Sequence, residues 1–568
     1  LVQTYSLILK TFLRDWSLVD IEMKIINIQA LRGLNIWSID HGNLIQMRVD
    51  FESSQDLAAY DLLKLNKSLG NLLNSSDWNE FELTEETDLT LADLIVKLAV
   101  VLQIMAGYKV GFSLTSKKKE QGIWVLVFEY QNEEAGEYAA ELSVKIIEEL
   151  LAGRVYDLKK DLKNLKDLQN LPQPKAITNA IPIIAITGSN GKTTTTRLIA
   201  HIIKNHGYKV GFTTSNGIYI NDTMISEGDT TGPISAKTIL ENPEVEYAVL
   251  ETARGGILRS GLGFKQCNLA VVTNIQEDHL GISDIHTLDD LARVKAVVVG
   301  AVKKDGYAVL NADNLYTTKI GNQALCKVAY FGMDAKNPVI QNHYKLGGVA
   351  TVVENGYITL LNGDEKIRVQ AVSEIPITFG GKISFMVQNV LAATLATYLS
   401  GFKTVEIAES LLTFIPSPEQ TPGRLNIYNF KNFKVMVDFA HNLDAFKGIK
   451  EYLDTVDSPQ KIGIIIGTGD RRDEDIRDFG RIAAQMFDHI LINQDKFLRG
   501  RKAEEIVNLL IEGIKSANTK ATYTYLPKGI EPLKHAIQLA KPGAFIVALS
   551  DVLENSDELV KMYLAKDH

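Results

Sequence analysis

Apolar and polar residues alternate with period two in NLIQMRVDFE (43–52) and IWVLVFEYQ (123–131), and with helical spacing in DLLKLNKSLGNLL (61–73) and EYAAELSVKIIEELL (137–151). Side chains repeat every second residue on a strand and about every 3.6 residues on a helix, so these runs predict strands and helices mixed within one region. The chain from Met23 to about Gly153 therefore reads as a small α+β domain, with residues 1–155 as its full extent. A Lys/Asp/Leu-rich helical stretch and then a Pro-containing polar run fill 156–180, a helical connector ending in a linker. Beyond it the pattern changes. IPIIAIT, YAVLETA, LAVVTNI and YAVLNAD are short apolar runs separated by helical segments, and that alternation predicts a parallel sheet covered on both faces over 181–420. KVMVDFA, KIGIIIGTG, HILINQD and AFIVALS repeat the scheme over 421–568, a second Rossmann-like α/β unit. No fixed-period internal repeat is present.

The length of 568 residues exceeds what one core can serve, and at roughly 150 residues per domain it agrees with three or four domains. A net charge of −9 and a pI near 5.7 argue against a broad nucleic-acid surface. The two cysteines, Cys267 and Cys326, form no paired motif and read as small buried residues. LVQTYSLILKTFLRDW at the start lacks a basic opening and a small-residue cleavage site, and is read as an exposed or docked leader helix. The apolar stretch Leu91 to Tyr108 carries Asp93 and Lys97, which favours a packed amphipathic helix over a membrane span. These features together predict a cytoplasmic protein.

The strongest chemical signal is ITGSNGKTTTT, a strand followed by Gly188, Ser189, Asn190, Gly191, Lys192, Thr193 and Thr194 and then a helix. Glycines let backbone N–H groups turn towards phosphate oxygens at a helix N-terminus; Lys192 adds a positive point charge, and a threonine hydroxyl can ligate Mg2+. The spacing departs from GxxxxGK[ST], because Ile186 stands where the first glycine would be. Two further strand ends carry polar groups: Glu251 in VLETARGG, and Asn274, Asp278 and His279 in VTNIQEDHLG. Oxygen donors at strand termini facing a nucleotide suit a hard cation, which makes Glu251 a candidate metal ligand and His279 a further one. Lys295 in LARVKAVVV reads, by itself, as a helix-surface lysine. In the last unit Arg424 in GRLNIY is a candidate charge clamp on a transferring phosphoryl group; VDFAHNLDA holds Asp438, His441 and Asn442, of which Asp438 and His441 follow a strand where they can orient an incoming amine. The alternating charges of GDRRDED and the LRGRK patch, with Arg499 and Arg501, read as solvated loops.

TGSNGKTTT, the LET strand, TNIQEDHLG, Gly423-Arg424 and DFAHN, in this order, resemble the Mur ligase superfamily. SNGIYINDTMISEGDTTGP, LETARGGILRSGLGF, GTGDRRDEDIRDFGRIA and DKFLRGR resemble more particularly the Mur-like half of the cyanophycin synthetases, and LRGLNIWSI resembles their N-terminal domain. That resemblance implies ATP and Mg2+ as cofactors, with Lys192 and Thr193 at the phosphates and metal, Glu251 and His279 at metal sites, and Asn311, Asp313 and Asn389 bordering the nucleotide. Lys295 falls where Mur ligases place a lysine that is often carbamylated. The implied reaction is ATP-dependent amide-bond formation through an acyl phosphate, joining arginine or a similar amino acid to an aspartyl-containing acceptor. One departure stands out: cyanophycin synthetases of the usual kind carry an ATP-grasp domain between these parts, and here only the connector occupies that place. Association with an ATP-grasp partner, or a homo-oligomer, is therefore part of the expectation; nucleic acid and membrane are not. The competing readings are a Mur-type ligase for another small acid or peptide, and a non-catalytic nucleotide-binding subunit of a full-length synthetase.

Overall fold

The structure is a computed structural model, and it describes residues 23–31, 44–51, 59–73, 78, 90–110, 114–118, 123–168, 181–277, 285–440, 442–467, 469, 471–493, 498, 500–526, 531–549 and 556–567. The expected leader helix and nearly all of LRGLNIWSI lie outside the described residues. The chain divides into two compact units, Leu1–Ala180 with Gly255–Lys265, and Ile181–Arg254 with Gln266–His568.

The first unit holds four antiparallel strands, β1 (Met23–Leu31), β2 (Leu44–Phe51), β3 (Leu114–Lys118) and β4 (Ile123–Glu129), in the order β1-β2-β4-β3. Ile45, Met47 and Val49 are fully buried, as their alternation requires. The helix Leu91–Met105 begins at a capping box of Thr90 and Asp93, so the charge at 93 is a start signal rather than a break in the apolar run. Every residue from Leu94 to Gln103 is buried, so the helix is enclosed on all sides and not one-faced as its sequence suggested. Lys97 keeps its ammonium 4.2 Å above the Trp78 ring, which is how a charge is held inside this core. Burial pushes its pKa down to about 8.

The connector helix Lys159–Asp167 is part of this unit. Leu158 and Leu165 are buried in its core, Tyr138 and Tyr156 both donate to the Asp161 carboxylate at 2.7 Å, and Tyr108 donates to the Leu165 carbonyl at 3.0 Å. Among the described residues no helix is long and apolar enough to cross a membrane.

The second unit contains two sheets. The larger has eleven strands: β5 (Ile183–Thr187), β6 (Val210–Thr214), β7 (Gly217–Ile220), β8 (Thr223–Glu227), β9 (Tyr247–Glu251), β10 (Cys267–Val272), β11 (Val302–Asn311), β12 (Lys327–Gly332), β13 (Ala350–Glu354), β14 (Tyr357–Asn362) and β15 (Glu365–Ala371). Their order is β15-β14-β13-β12-β11-β10-β5-β9-β6-β7-β8. From β13 to β6 all neighbours are parallel, and antiparallel pairs extend the sheet at each end. Strand β5 sits between β9 and β10, so the turn that follows it opens into a crevice between two strand ends, the usual ligand position in such sheets.

The smaller sheet is β16 (Asn426–Asn429), β17 (Phe433–Asp438), β18 (Lys461–Ile466), β19 (His489–Asn493), β20 (Thr522–Tyr525) and β21 (Ala544–Leu549), in the order β16-β17-β21-β18-β19-β20. Its β16–β17 pair is antiparallel and the other pairs are parallel. Side chains flanking both sheets share one continuous core, in which Val387 and Leu391 of the helix Ser384–Leu399 join Phe446, Ile449 and Phe479.

Candidate functional site

Strand β5 is buried at all five positions and delivers the chain into the turn at Gly188. Gly188 (φ +148°) and Gly191 (φ +83°) hold backbone conformations that favour glycine, and an added Cβ would strike the Thr273 hydroxyl or the Asn389 side chain, respectively. The helix Lys192–Asn205 starts at Gly191 with no side-chain cap, so its first N–H groups are left for a ligand on the turn side.

The end of β10 clasps the turn from beneath. Asn274 accepts from the Asn190 N–H through its side chain and from the Ser189 N–H through its carbonyl, both at 2.9 Å, while Thr273 donates to the Asn190 carbonyl at 2.6 Å. Ser189 and Gln276 exchange hydrogen bonds at 3.0 Å. Lys192 donates its ammonium to the Ser189 carbonyl at 2.9 Å. Lys295 is not a surface lysine: it is 3% exposed and donates to the Gly188 carbonyl at 2.7 Å. Its helix, Leu288–Gly300, packs against β5 and β10, which turns the side chain inward.

Thr193 Oγ1 donates to Glu251 Oε2 at 2.9 Å, and the Ser215 N–H reaches the same oxygen at 3.3 Å. Glu251 ends β9 and is 3% exposed. Burial pushes its pKa up, and Lys192, the Thr193 hydroxyl and Arg424 pull it back. Thr194 is buried in the same first turn. Asn389 abuts Gly191 and accepts from Thr195 Oγ1 at 3.4 Å.

On the side of the smaller sheet, Asp438 ends β17 and accepts from the Leu425 N–H at 2.9 Å. Leu425 is fully buried at φ +52°, an uncommon conformation for a bulky residue. The Asp438 carboxylate thus pins the strained turn that carries Arg424, whose guanidinium lies 5.0 Å from the Phe439 ring. Burial raises the Asp438 pKa to about 6, against the pull of Arg424 and two backbone N–H groups.

These groups wall one cavity of about 460 Å³. Ser189 to Thr194, Glu251, Asn274 and Asn389 line it from the larger sheet, and Arg424, Asp438 and Lys447 from the smaller. Gly188 and Lys295 stand behind the turn. Asn311 and Asp313 are not brought to the wall. Asn311 donates to the Thr273 carbonyl at 2.9 Å, and the Asp313 carboxylate is committed to the Met333 N–H at 2.7 Å and to Asn337 at 2.8 Å. His279, His441, Asp278, Asp470 and Arg499 lie outside the described residues. Among the described residues no group of three or more His, Cys, Asp or Glu side chains is arranged to hold a metal.

The GDRRDED run is not simply solvated. Arg472 bridges Asp475 and Glu277, each at 2.8 Å, and Arg501 reaches Asp473 at 2.7 Å and the Arg471 carbonyl at 3.1 Å. Sequence reasoning gave no role to Asp229 and Thr231, which line the cavity from the GDTTGP segment, nor to Ser215. Arg197, on the helix that follows the turn, is not on the cavity wall. It is 6% exposed, its guanidinium lies 4.5 Å from the Tyr219 ring, and its Nε and Nη2 atoms have no hydrogen-bond partner. Five residues beyond Lys192 on an ordinary helical pattern, it gave no signal.

Comparison with known proteins matches residues 186–397 to the Mur ligase middle domain, 423–551 to the Mur ligase glutamate ligase domain and 46–152 to the cyanophycin synthase-like N-terminal domain. A cyanophycin synthetase of Nostoc sp. is 42% identical over 389 residues, which are 68% of this chain and 43% of that one. The chain therefore spans less than half the length of that relative. A UDP-N-acetylmuramoyl-L-alanyl-D-glutamate–2,6-diaminopimelate ligase of Geobacillus thermodenitrificans is 25% identical, over 65% of this chain and 73% of its own. The solved bifunctional folylpolyglutamate synthase/dihydrofolate synthase of Yersinia pestis shares the fold with a TM-score of 0.51 at 15% identity, over 68% of this chain and 92% of its own.

Proposed function

Since the chain belongs to the Mur ligase superfamily, we propose that it is an ATP-dependent, ADP-forming ligase that makes an amide bond between an acid and an amino acid. The observation that carries this reading is the cavity in which Lys192, Thr193 and Glu251 face Arg424 and Asp438. The residues present suit the groups such chemistry needs. Two glycines leave backbone N–H groups free to hold phosphate oxygens. Thr193 Oγ1 and Glu251 Oε2, 2.9 Å apart, are hard donors of the kind Mg2+ takes, and they would hold that ion. His279 is proposed as a further ligand. When bound, Mg2+ supplies charge neutralisation on the phosphate oxygens.

The side chains then divide the work. Lys192 holds the terminal phosphates, and Asn274 and Lys295 fix the turn that presents its N–H groups to them. Arg424, aimed by the Asp438-pinned turn, offsets negative charge on the group in transfer. The acid's carboxylate oxygen attacks the γ-phosphorus as the bond to the ADP oxygen breaks. The amine nitrogen then attacks the activated carbonyl carbon, loses a proton, and phosphate leaves. Walls contributed by both sheets keep water from the activated acid, which it would hydrolyse.

For substrates, the 42% identity to a cyanophycin synthetase supports arginine, or a similar amino acid, as the amine and an aspartyl-containing chain as the acceptor. Only residues 153–185 separate the N-terminal match from the middle-domain match, so the acceptor backbone is proposed to be made elsewhere, with an ATP-grasp enzyme as partner. A cytoplasmic setting goes with ATP as substrate. The test is ADP release from ATP, Mg2+ and arginine with and without poly-aspartate, beside a Lys192→Ala control. Turnover that needs both arginine and acceptor and vanishes in the variant supports the proposal; ADP release indifferent to every acid and amine offered refutes it.

A further inference from the structure

Among the described residues, a pair of amides joins the Gly-rich turn to the smaller sheet's side of the cavity, beside the Ser384–Glu451 bond and the Arg472–Glu277 bridge, each at 2.8 Å. Asn442 donates its Nδ2 to Asn190 Oδ1 at 2.6 Å, and Asn190 donates its Nδ2 to Asn442 Oδ1 at 3.2 Å, across 252 residues of sequence. Asn190 also donates to Gln276 Oε1 at 2.9 Å, so its side chain is wholly spent on protein partners while its backbone is locked to Thr273 and Asn274. Asn442 is 2% exposed and also starts a helix, because its Oδ1 accepts from the Ala445 N–H at 3.0 Å and caps Leu443–Asp454. That helix carries Asp444, Lys447 and Glu451 on the cavity wall.

We infer that the Asn190–Asn442 pair is a closure latch, and that Asn442 is a positioning residue which holds the smaller sheet's wall against the phosphate turn. Three features carry this. The pair joins the turn directly to the first residue of a wall helix, with no intervening side chain. Both amides donate and accept, so parting the walls breaks two hydrogen bonds at once. And because Oδ1 of Asn442 serves the cap and the latch together, the helix start and the turn are set by one group. Its consequence for nucleotide retention rests on the ligase reading: with the pair made, the helix start is held against the turn that takes the phosphates, and breaking the pair loosens the turn's hold on ADP.

Serine separates the two roles of Asn442, because it caps a helix about as well as asparagine but is too short to reach Asn190. Hydrogen exchange is measured on the full chain without nucleotide, for wild type, Asn442→Ser, Asn190→Ala and the double variant. The latch predicts that Asn442→Ser speeds exchange in 188–192 at least about fivefold, that Asn190→Ala does the same in 443–446, and that the double variant exchanges no faster than the worse single one. With a fluorescent ADP analogue and Mg2+, each variant is expected to release nucleotide about five- to tenfold faster. Exchange changes confined to the neighbourhood of each substitution, or effects that add in the double variant, overturn the latch. Wild type that binds no nucleotide refutes the ligase reading instead, and the exchange measurement still decides the latch.

Discussion

Replacing Glu251 by glutamine is expected to make the protein more stable and inactive. Glu251 is 3% exposed, and taking a carboxylate out of water costs several kcal/mol after relaxation. Lys192, Arg424 and the Thr193 hydroxyl return part of that cost, yet the net effect is a raised pKa, so the ionised form is still disfavoured in the folded state. The amide keeps the two hydrogen bonds that Oε2 accepts. Thr193 and Ser215 both donate to Oε2, and a glutamine oxygen at that position accepts from both. The expected gain is about 1–2 kcal/mol near pH 7, which for a unit of this size raises Tm by roughly 1–3 °C. The sign of the pH dependence follows from the raised pKa. The folded state holds its proton to higher pH than the unfolded state, so wild type loses stability as pH rises above about 4.5, and the variant does not. The Tm gap should therefore widen from pH 4.5 to pH 7. Activity moves the other way: without the charge, kcat should fall on the order of 10²- to 10³-fold and its dependence on Mg2+ should weaken. Calorimetry across pH and ADP release across Mg2+ concentration test both halves. A variant that is less stable than wild type, with unchanged Mg2+ dependence, would falsify the view that this carboxylate is kept for a cation and against its own burial cost.

Three other perturbations read different parts of the site. Gly191→Ala puts a side chain at φ +83° against Asn389, and the left-handed conformation alone costs about 1–2 kcal/mol; the expected result is a Tm lowered by a few degrees and ATP affinity reduced at least about tenfold, measured by calorimetry and nucleotide titration. Lys295→Met leaves the Gly188 carbonyl without its charged donor, a bond of about 1.5–3 kcal/mol, so KM for ATP should rise by about ten- to a hundredfold; an unchanged KM means the turn does not need that anchor. Asp438 has a pKa of about 6, so kcat/KM should climb as pH rises through 6 and the carboxylate ionises, whereas Asp438→Asn should give a lower and flat profile from pH 5 to 7. In stability the same raised pKa acts with the opposite sign, because the folded state gives up its proton later than the unfolded one and loses stability between about pH 4 and 6.

The parts of the site legible in the sequence were those fixed by local geometry. A buried strand running into Gly-Ser-Asn-Gly-Lys leaves the chain few choices, and Glu251 and Asn274 were placed because both end apolar strands that must lie beside β5. Asn311 and Asp313 came in through the resemblance alone, and in the structure the Asp313 carboxylate accepts from the Met333 N–H and from Asn337. What the sequence hid depends on contacts between distant segments. The left-handed Leu425 arises from its bond to Asp438, thirteen positions on, and the Asn190–Asn442 pair joins residues 252 apart. The antiparallel strands at the sheet ends were equally silent: β8 is exposed at all five positions, so it has no buried face to write a period-two pattern.

The two buried acids explain why the cavity needs both sheets. Glu251 ends β9 and Asp438 ends β17, each has its pKa raised by burial, and each is partly relieved by Arg424. Their partners assign them different work. Glu251 accepts from the Thr193 hydroxyl of the Gly-rich turn, and under the proposed function its charge acts on the bound ligand. Asp438 faces the backbone of the Gly423-Arg424-Leu425 turn, and its charge acts on the protein by holding a strained Leu425 and thereby the arginine before it. Neither acid can replace the other, because the hydrogen bonds that orient each are already committed. Under the proposed function, a carboxylate for the cation on one strand end and an arginine-aiming carboxylate on another serve opposite sides of the transferring phosphate. The unfavourable burial of both is then the stability given up to keep these charges in place before any substrate arrives.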